Sequence, residues 1–370
     1  MVMRPIEPDE LKPLATGAWI LGAGGGGNPY LAYLNLRTLY EAGTRVSLLD
    51  PMALADDDKV AIVASVGAPL VGRERLSDPR FAAKPLLAMQ AYLECEFRAV
   101  MSAEVGGTNA LQPLMVAAVT GLPVVDADSM GRAFPEGQMT SFAVAGLPML
   151  PLVLSDIRDN DVIIPRAASP RWMERIARKT LTEIGAVAAT CKGPRTGREI
   201  KAHGILHSTT KAIRIGRTVH EARHRHEDPI AALVEAESGT LLFKGKVLDI
   251  GRRATDGFLR GRAHIEGLDR DRGSALDLEF QNEFAAAWCD GEVVATTPEI
   301  ICAMDSDSGE AIGTEMIRYG QRVSVIVLPP PELFLTPKGL AATGPRAFGY
   351  DFDYKSVLAG TSMAGRTAQA

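Results

Sequence analysis

Short continuous apolar runs alternate with helically spaced stretches over the first 165 residues. Residues 18–21 (Ala18, Trp19, Ile20, Leu21) read as a strand, 30–41 as a helix and 46–49 as a second strand. The run 60–66 (VAIVASV) has the unbroken apolar character of a strand buried on both faces, and it stops at a turn, Gly67-Ala68-Pro69. Leu86, Leu87, Met89 and Leu93 set against Lys84, Gln90 and Glu94 give helical spacing over 84–94. Residues 98–103 read as a strand, 109–120 as a helix closing at Gly121, and Val124-Val125 as a short strand ending in Asp126. Strands alternating with helices predict an α/β layer fold: a Rossmann-like N-terminal domain, residues 1–165, with a mostly parallel sheet.

The pattern then changes twice. Residues 171–237 are helical in character, with a strong signal over 171–184 and a longer region over 207–237 interrupted near Gly216 and Pro229. From 240 to 330 short strand-like runs (241–250, 261–266, 276–284, 292–296 and 322–328) are separated by turns rich in Gly, Asp and Arg, which predicts a β-rich unit, a small barrel or sandwich. Pro329-Pro330-Pro331 ends it, and a Gly-, Pro- and aromatic-rich tail, 331–370, is expected to pack back on the N-terminal domain. Residues 166–370 therefore form the second domain.

Composition removes several function classes. With 40 basic and 45 acidic residues, the chain has no charge bias toward nucleic acid or an anionic membrane. No apolar run reaches the roughly 20 residues of a membrane span. The first 14 residues carry Glu7, Asp9 and Glu10 and lack a signal peptide's basic start and apolar core. Cys95, Cys191, Cys289 and Cys302 lie far apart with no C-x-x-C pair, which argues against a metal cluster or disulfide framework and for a reduced, cytoplasmic location. A homo-oligomer acting on a small molecule is the expected state.

Candidate chemistry gathers where predicted strands end, the place where α/β sheets bind ligands. Gly22, Gly24 and Gly27 fit the G-x-G-x-x-G spacing of dinucleotide folds, and Asp50 stands where such folds keep an acid for a ribose hydroxyl. Against this, Gly24, Gly25, Gly26 and Gly27 form a longer glycine run than a pyrophosphate turn needs, and Asn28-Pro29 occupies the helix start. A tight turn giving close access to another small ligand explains the same residues. Glu104, Gly106, Gly107 and Asn109 form a second cluster, either a ligand site or a surface acid beside a helix cap. Asp126, Asp128, Arg132 and Glu136 form a third and denser one, able to tune a base, hold a divalent cation or clamp a polar substrate. His203/His207 and His220/His224 have the four-residue spacing of zinc pairs on a helix. However, Gly204 interrupts the first, and the second lies in a charged, solvated-looking stretch. His207 precedes Ser208-Thr209-Thr210, a helix-start pattern that serves equally as a plain cap. Asn282 and Glu283 lie between Phe280 and Phe284, suited to a pocket or a domain interface.

In chain order, GAGGGGNPY (22–30), AEVGGTNA (103–110), DADSMGRAFPEGQM (126–139), FQNEF (280–284), PEIICAMDSDSGEAI (298–312) with IRYG (317–320), and GPRAFGYDFDY (344–354) resemble one family. It is the domain-of-unknown-function 917 family, grouped with S-methyl thiohydantoin desulfurases and often described as hydantoinase- or oxoprolinase-related. The resemblance spans about residues 8–358; Glu299 departs from it, where aspartate is expected after proline. It implies an N-terminal α/β domain, a separate C-terminal domain and a small nitrogen heterocycle as ligand. Hydrolytic attack on such a ring needs a base, an activated water and donors for the developing anion. The resemblance then casts Asp126, Asp128 or Glu104 as base or ligand to a divalent metal; His207, from its place at a helix start, is a further catalytic candidate. Arg132 and the amides of Gly24–Gly27 become the anion holders, and Asn28 and Asn109 the readers of ring amides. The rival readings are a nucleotide-binding oxidoreductase and a non-catalytic subunit of a hydantoinase-like enzyme.

Overall fold

The computed structural model describes residues 2–67, 71, 78–255 and 258–358. The turn expected at 67–69 lies largely outside them. Two eight-stranded sheets organise the chain. The first contains β1 (Met3–Pro5), β2 (Ser47–Leu49), β3 (Lys59–Gly67), β4 (Ala99–Ser102), β5 (Val124–Val125), β6 (Leu152–Ser155), β7 (Asp161–Ile164) and β8 (Val187–Thr196). Their spatial order is β1-β2-β5-β4-β3-β8-β6-β7. Only the β2/β5, β5/β4 and β4/β3 neighbours are parallel; β1/β2, β3/β8, β8/β6 and β6/β7 are antiparallel. The sheet is therefore mixed rather than mostly parallel. The run of parallel neighbours ends at β3: β6 and β7 form a hairpin through residues 156–160, and β8, which follows the helix at Pro170–Glu183, enters antiparallel to both β3 and β6.

The helices are α1 (Leu11–Leu21), α2 (Tyr30–Glu41), α3 (Pro79–Leu93), α4 (Gln112–Thr120), α5 (Ser141–Val144), α6 (Pro170–Glu183), α7 (Gly197–His203), α8 (Ser208–His224), α9 (Pro229–Ala236) and α10 (Pro337–Thr343). The strand expected at 18–21 is instead the last turn of α1. A short apolar run has no periodicity to separate a strand from a helix buried all round, and Leu14, Ala18, Ile20 and Leu21 are all fully buried. Helix–loop–helix thus replaces the strand–loop–helix of a dinucleotide fold at the glycine run. Asp50 instead caps a short turn, accepting from the Met52 amide at 2.9 Å. The interruption expected at Gly216 is also absent, because α8 runs straight through it. A Cβ there would stand 1.9 Å from the Pro13 carbonyl oxygen of α1, so glycine marks the close crossing of two helices.

The segment 171–237 is not purely helical. β8 lies within it and pairs with β3 and β6, completing the first sheet with residues beyond 166. The second sheet contains β9 (Thr240–Thr255), β10 (Phe258–Gly267), β11 (Ala275–Gln281), β12 (Glu283–Cys289), β13 (Glu292–Thr296), β14 (Ile300–Asp305), β15 (Ala311–Ile312) and β16 (Arg322–Leu328), in the order β13-β12-β11-β10-β9-β16-β14-β15. All its described neighbours are antiparallel. The tail binds both halves. Phe334 packs with Met130, Phe134 and Met139 of the first, whereas Tyr350 and Phe352, stacked on each other, meet Trp288 of the second edge-to-face. No helix among the described residues is long and apolar enough to cross a membrane.

A candidate active site at the seam of the two sheets

The glycine run joins three surfaces through its backbone. The Ala23 and Gly24 carbonyls accept from Phe284 and Thr314 of the second sheet's side, each at 2.8 Å. Gly26 and Gly27 accept from the Thr108 amide at 3.0 Å. Gly26 has φ +73°, and a Cβ there would lie 2.5 Å from the Gly106 carbonyl oxygen, so backbone packs directly on backbone. Beside this hub lies a cavity of about 520 Å³ between the two sheets, roofed by α2 and α6. Gly25, Gly26, Gly27 and Asn28 line it, together with Glu104, Asn109, Glu136, Asn282 and Glu283. Gly24, Gly106 and Gly107 stand in the adjoining backbone contact rather than in the lining. Asn28 caps the start of α2, its Oδ1 accepting from the Tyr30 amide at 2.9 Å.

Two carboxyl groups dominate the chemistry. Glu104 follows β4 and is turned inward by its neighbours. Its Oε1 accepts from Asn109 Nδ2 at 2.6 Å and its Oε2 from the Phe134 amide at 3.2 Å. Asn109 is itself fixed, accepting from the Ser65 amide at 2.7 Å. Burial raises the Glu104 carboxyl to about 7, and the Lys192 charge on β8 only partly offsets this. Glu283 opens β12, and its carboxyl lies against Gly25, where a Cβ would fall 2.0 Å from Oε1. Its Oε2 is buried with no hydrogen-bond partner. Burial, reinforced by the charge of Glu104, holds this carboxyl well above its ordinary value, although Arg132 pulls the other way. Glu136 is engaged by Gln138 at 2.5 Å and Gln281 at 3.5 Å. The Asn282 side chain accepts from the Leu259 amide at 2.9 Å, at a reversal where its own φ is +60°.

The other expected catalytic residues are placed behind the cavity wall. Asp128 Oδ2 accepts from the amides of Val105, Met130 and Gly131 at 2.8, 3.1 and 2.7 Å. Three amides converging on one oxygen tie the β4 loop to the β5 loop. Burial still raises this carboxyl to about 6, because the amides compensate only in part. Asp126 caps α8, taking the Thr210 amide at 3.0 Å and the Thr210 hydroxyl at 2.5 Å. His207 Nδ1 stands 3.5 Å from Asp126 Oδ2, on the exposed side of that cap. Arg132 is fully buried. It donates to the carbonyls of Ala133, Glu299, Pro298 and Phe284 at 3.0, 2.6, 3.3 and 3.4 Å, bridging both domains. Its guanidinium lies 4.6 Å from the Phe134 ring centroid, and burial lowers it to about 10. His220 is bonded to Thr16 at 2.9 Å. Among the described residues, no group of three or more His, Cys, Asp or Glu is placed to share a metal ion.

Lys192 of β8, Thr314, and Glu174 and Arg178 of α6 also line the cavity. Lys192 sits in the alternating run AATCKG, a period-two signal that marks β8 in retrospect.

A mixed α/β domain joined to an antiparallel β domain, with buried carboxyls at their seam, is an enzyme-like architecture. The chain belongs to the S-Me-THD-like family: its N-terminal domain matches over residues 9–166 and its C-terminal domain over 168–357. Membership suggests a hydantoin-related enzyme. A crystal structure of a protein from Chromobacterium violaceum shares the fold, with a TM-score of 0.80 at 22% identity over 96% of this chain and 100% of that one. No curated protein matches the chain.

Proposed function

We propose that this protein hydrolyses a small nitrogen heterocycle, an S-methyl thiohydantoin or close analogue, in the cavity between its sheets. The carrying observation is the pair of buried carboxyls, Glu104 and Glu283, on one cavity with unequal environments. Two acids driven apart in pKa provide a base and an acid at the same pH. Glu104, near 7, is ionised often enough to take a proton from water. Glu283, held protonated by burial, donates.

The steps balance. Water oxygen bonds to the ring carbon that carries sulfur, and its proton passes to Glu104. The neighbouring ring nitrogen takes the Glu283 proton. The carbon–sulfur bond then breaks, with sulfur leaving as methanethiol on the proton held by Glu104. The new hydroxyl returns its proton to Glu283 as it becomes the hydantoin carbonyl. Asn109 orients Glu104, and Lys192 provides positive charge beside it. Arg132 positions the two acids without touching the ring, and Asp126, Asp128 and His207 shape the wall behind them.

The test is methanethiol release, read with a thiol reagent, from S-methyl thiohydantoins. Glu283→Gln and Glu104→Gln each lower turnover by about 10²-fold or more while the circular dichroism is unchanged. Release undiminished in both variants, or no release from any S-methyl thiohydantoin, overturns the reading.

A further inference from the structure

The cavity is larger and more divided than a single ring requires. Glu104, Glu283, Asn109 and Asn282 line one part of it, with Asn109 bonded to Glu104 at 2.6 Å, and Lys192 and the Glu174–Arg178 pair of α6, at 2.7 Å, add charge beyond them. Its lining continues across the sheet in the order β4, β3, β8, β6. Strands lie roughly 4.8 Å apart, so Leu154 on β6 stands roughly 14 Å from the β4 end that carries Glu104. In the pairing of β8 with β6, Leu154 sits opposite Thr190, itself in the lining. Over β6 the wall is Leu152, Leu154, Met173, Ala177 and Leu181, an apolar cluster with α6 as its lid. Close-packed interiors do not leave apolar space of this kind unfilled. Pockets of about 300–1,000 Å³ enclose drug-sized ligands, and a bare hydantoin ring fills a fraction of 520 Å³.

We infer that the substrate of the proposed reaction carries an apolar substituent on its ring. The heterocycle lies at Glu104 and Glu283, and the substituent extends across β8 to the pocket between β6 and α6. Rings built from leucine- or phenylalanine-like precursors fit this division; an unsubstituted ring leaves the apolar arm empty. Lys192 and Arg178 stand along the way, so a carboxylate-bearing substituent is the competitor that the test includes.

This inference rests on the proposed ring chemistry, and the experiment separates the two. Calorimetry measures binding of unsubstituted, 5-isobutyl-, 5-benzyl- and 5-carboxyethyl-hydantoin to the full chain, and turnover is measured on the matching S-methyl thiohydantoins. The expected result is that isobutyl and benzyl rings bind and react at least tenfold better than the unsubstituted ring, since each buried methylene adds several-fold. Ala177→Leu, which fills the arm from a partly buried helix position, removes that advantage and leaves the unsubstituted ring unchanged. Equal constants across the series, or a carboxyethyl preference, overturn the inference while the chemistry stands. Tight benzylhydantoin binding that Ala177→Leu abolishes, with no turnover of any ring, supports the apolar arm and overturns the chemistry. If no hydantoin binds, both fall.

Discussion

Asp128, beside the strand ends of the first sheet, and Glu283, at the start of β12 in the second, are buried acids in different surroundings. Asp128 gives one oxygen to three backbone amides, which holds two loops together, and its other oxygen is enclosed behind the wall without a partner. Glu283 has one oxygen lodged against the glycine loop and the other without a partner, beside open space. Both carboxyls are raised by burial, so a perturbed pKa does not separate them. An unpartnered oxygen does not separate them either, since each has one; amides anchor Asp128 behind the cavity wall, whereas Glu283 lines the cavity. A carboxylate anchored by amides away from the cavity is architecture, whereas one unsatisfied on the cavity lining has capacity for substrate.

The largest effect expected from this contrast falls on the residue that links the two groups. Arg132→Ala removes the donor to four carbonyls in both domains and the buried charge facing Glu104 and Glu283. Urea unfolding should show a loss of about 3–5 kcal/mol, as when one partner of a buried ionic group is deleted. A loss under 1 kcal/mol would mean that the seam does not depend on it.

Asp128→Ala comes next, because it strands three buried amides. A cost of about 3 kcal/mol is expected in the same assay, within the range for buried unsatisfied groups. Asp128→Asn keeps an acceptor oxygen and should cost only about 1 kcal/mol, with methanethiol release unchanged. Abolished release in a stable Asp128→Asn protein would place Asp128 in the chemistry and erase the contrast.

Glu283→Gln should reverse the pattern. Its stability change is expected within about 1 kcal/mol of zero, because the missing charge had been desolvated without a full set of partners. Thermal unfolding and turnover on the same preparation separate the two residues. A Glu283 variant that unfolds early makes both acids architectural.

The smallest effect is on pH dependence. Glu104 and Glu283 bind protons more tightly folded than unfolded, so their contribution is full below the unfolded carboxylate range; Glu104's is lost as pH rises through about 7 and Glu283's as pH rises through its raised folded value. His220, lowered to about 4, has the opposite sign, but its effect is complete by about pH 6.5, its unfolded value. Between pH 6.5 and 8, therefore, stability should decline, and Glu104→Gln should flatten the decline. In the same interval kcat/KM should rise as Glu104 ionises. A melting temperature that climbs from pH 6.5 to 8 would contradict the burial assigned to these acids.

Much of the fold was legible in residue order. Helix 30–41 and strands 60–66, 124–125, 292–296 and 322–328 follow from periodicity and apolar runs, and the change to a β-rich half at 240 follows from the spacing of turns. Local pattern fails where neighbours decide the outcome. Residues 18–21 are a helix because α1 is enclosed on every side, and 216 continues a helix because another helix crosses it there. Neither fact has a local signature. β8 was hidden because Gly193 and Pro194 interrupt an alternating run that only its pairing with β3 and β6 reveals.

The site divides in the same way. Sequence alone brought Glu104, Asn109, Glu136 and Glu283 forward, since each lies in a dense polar cluster beside glycines or aromatics. It ranked Asp126, Asp128 and Arg132 with them, because charge density in a loop looks the same whether it faces a ligand or the backbone. Local residue types set which groups carry protons and which turns bring chains close. Tertiary structure decided which carboxyl faces the cavity and which space remained empty, because amides from distant segments fix Asp128 behind the wall and leave Glu283 on the lining.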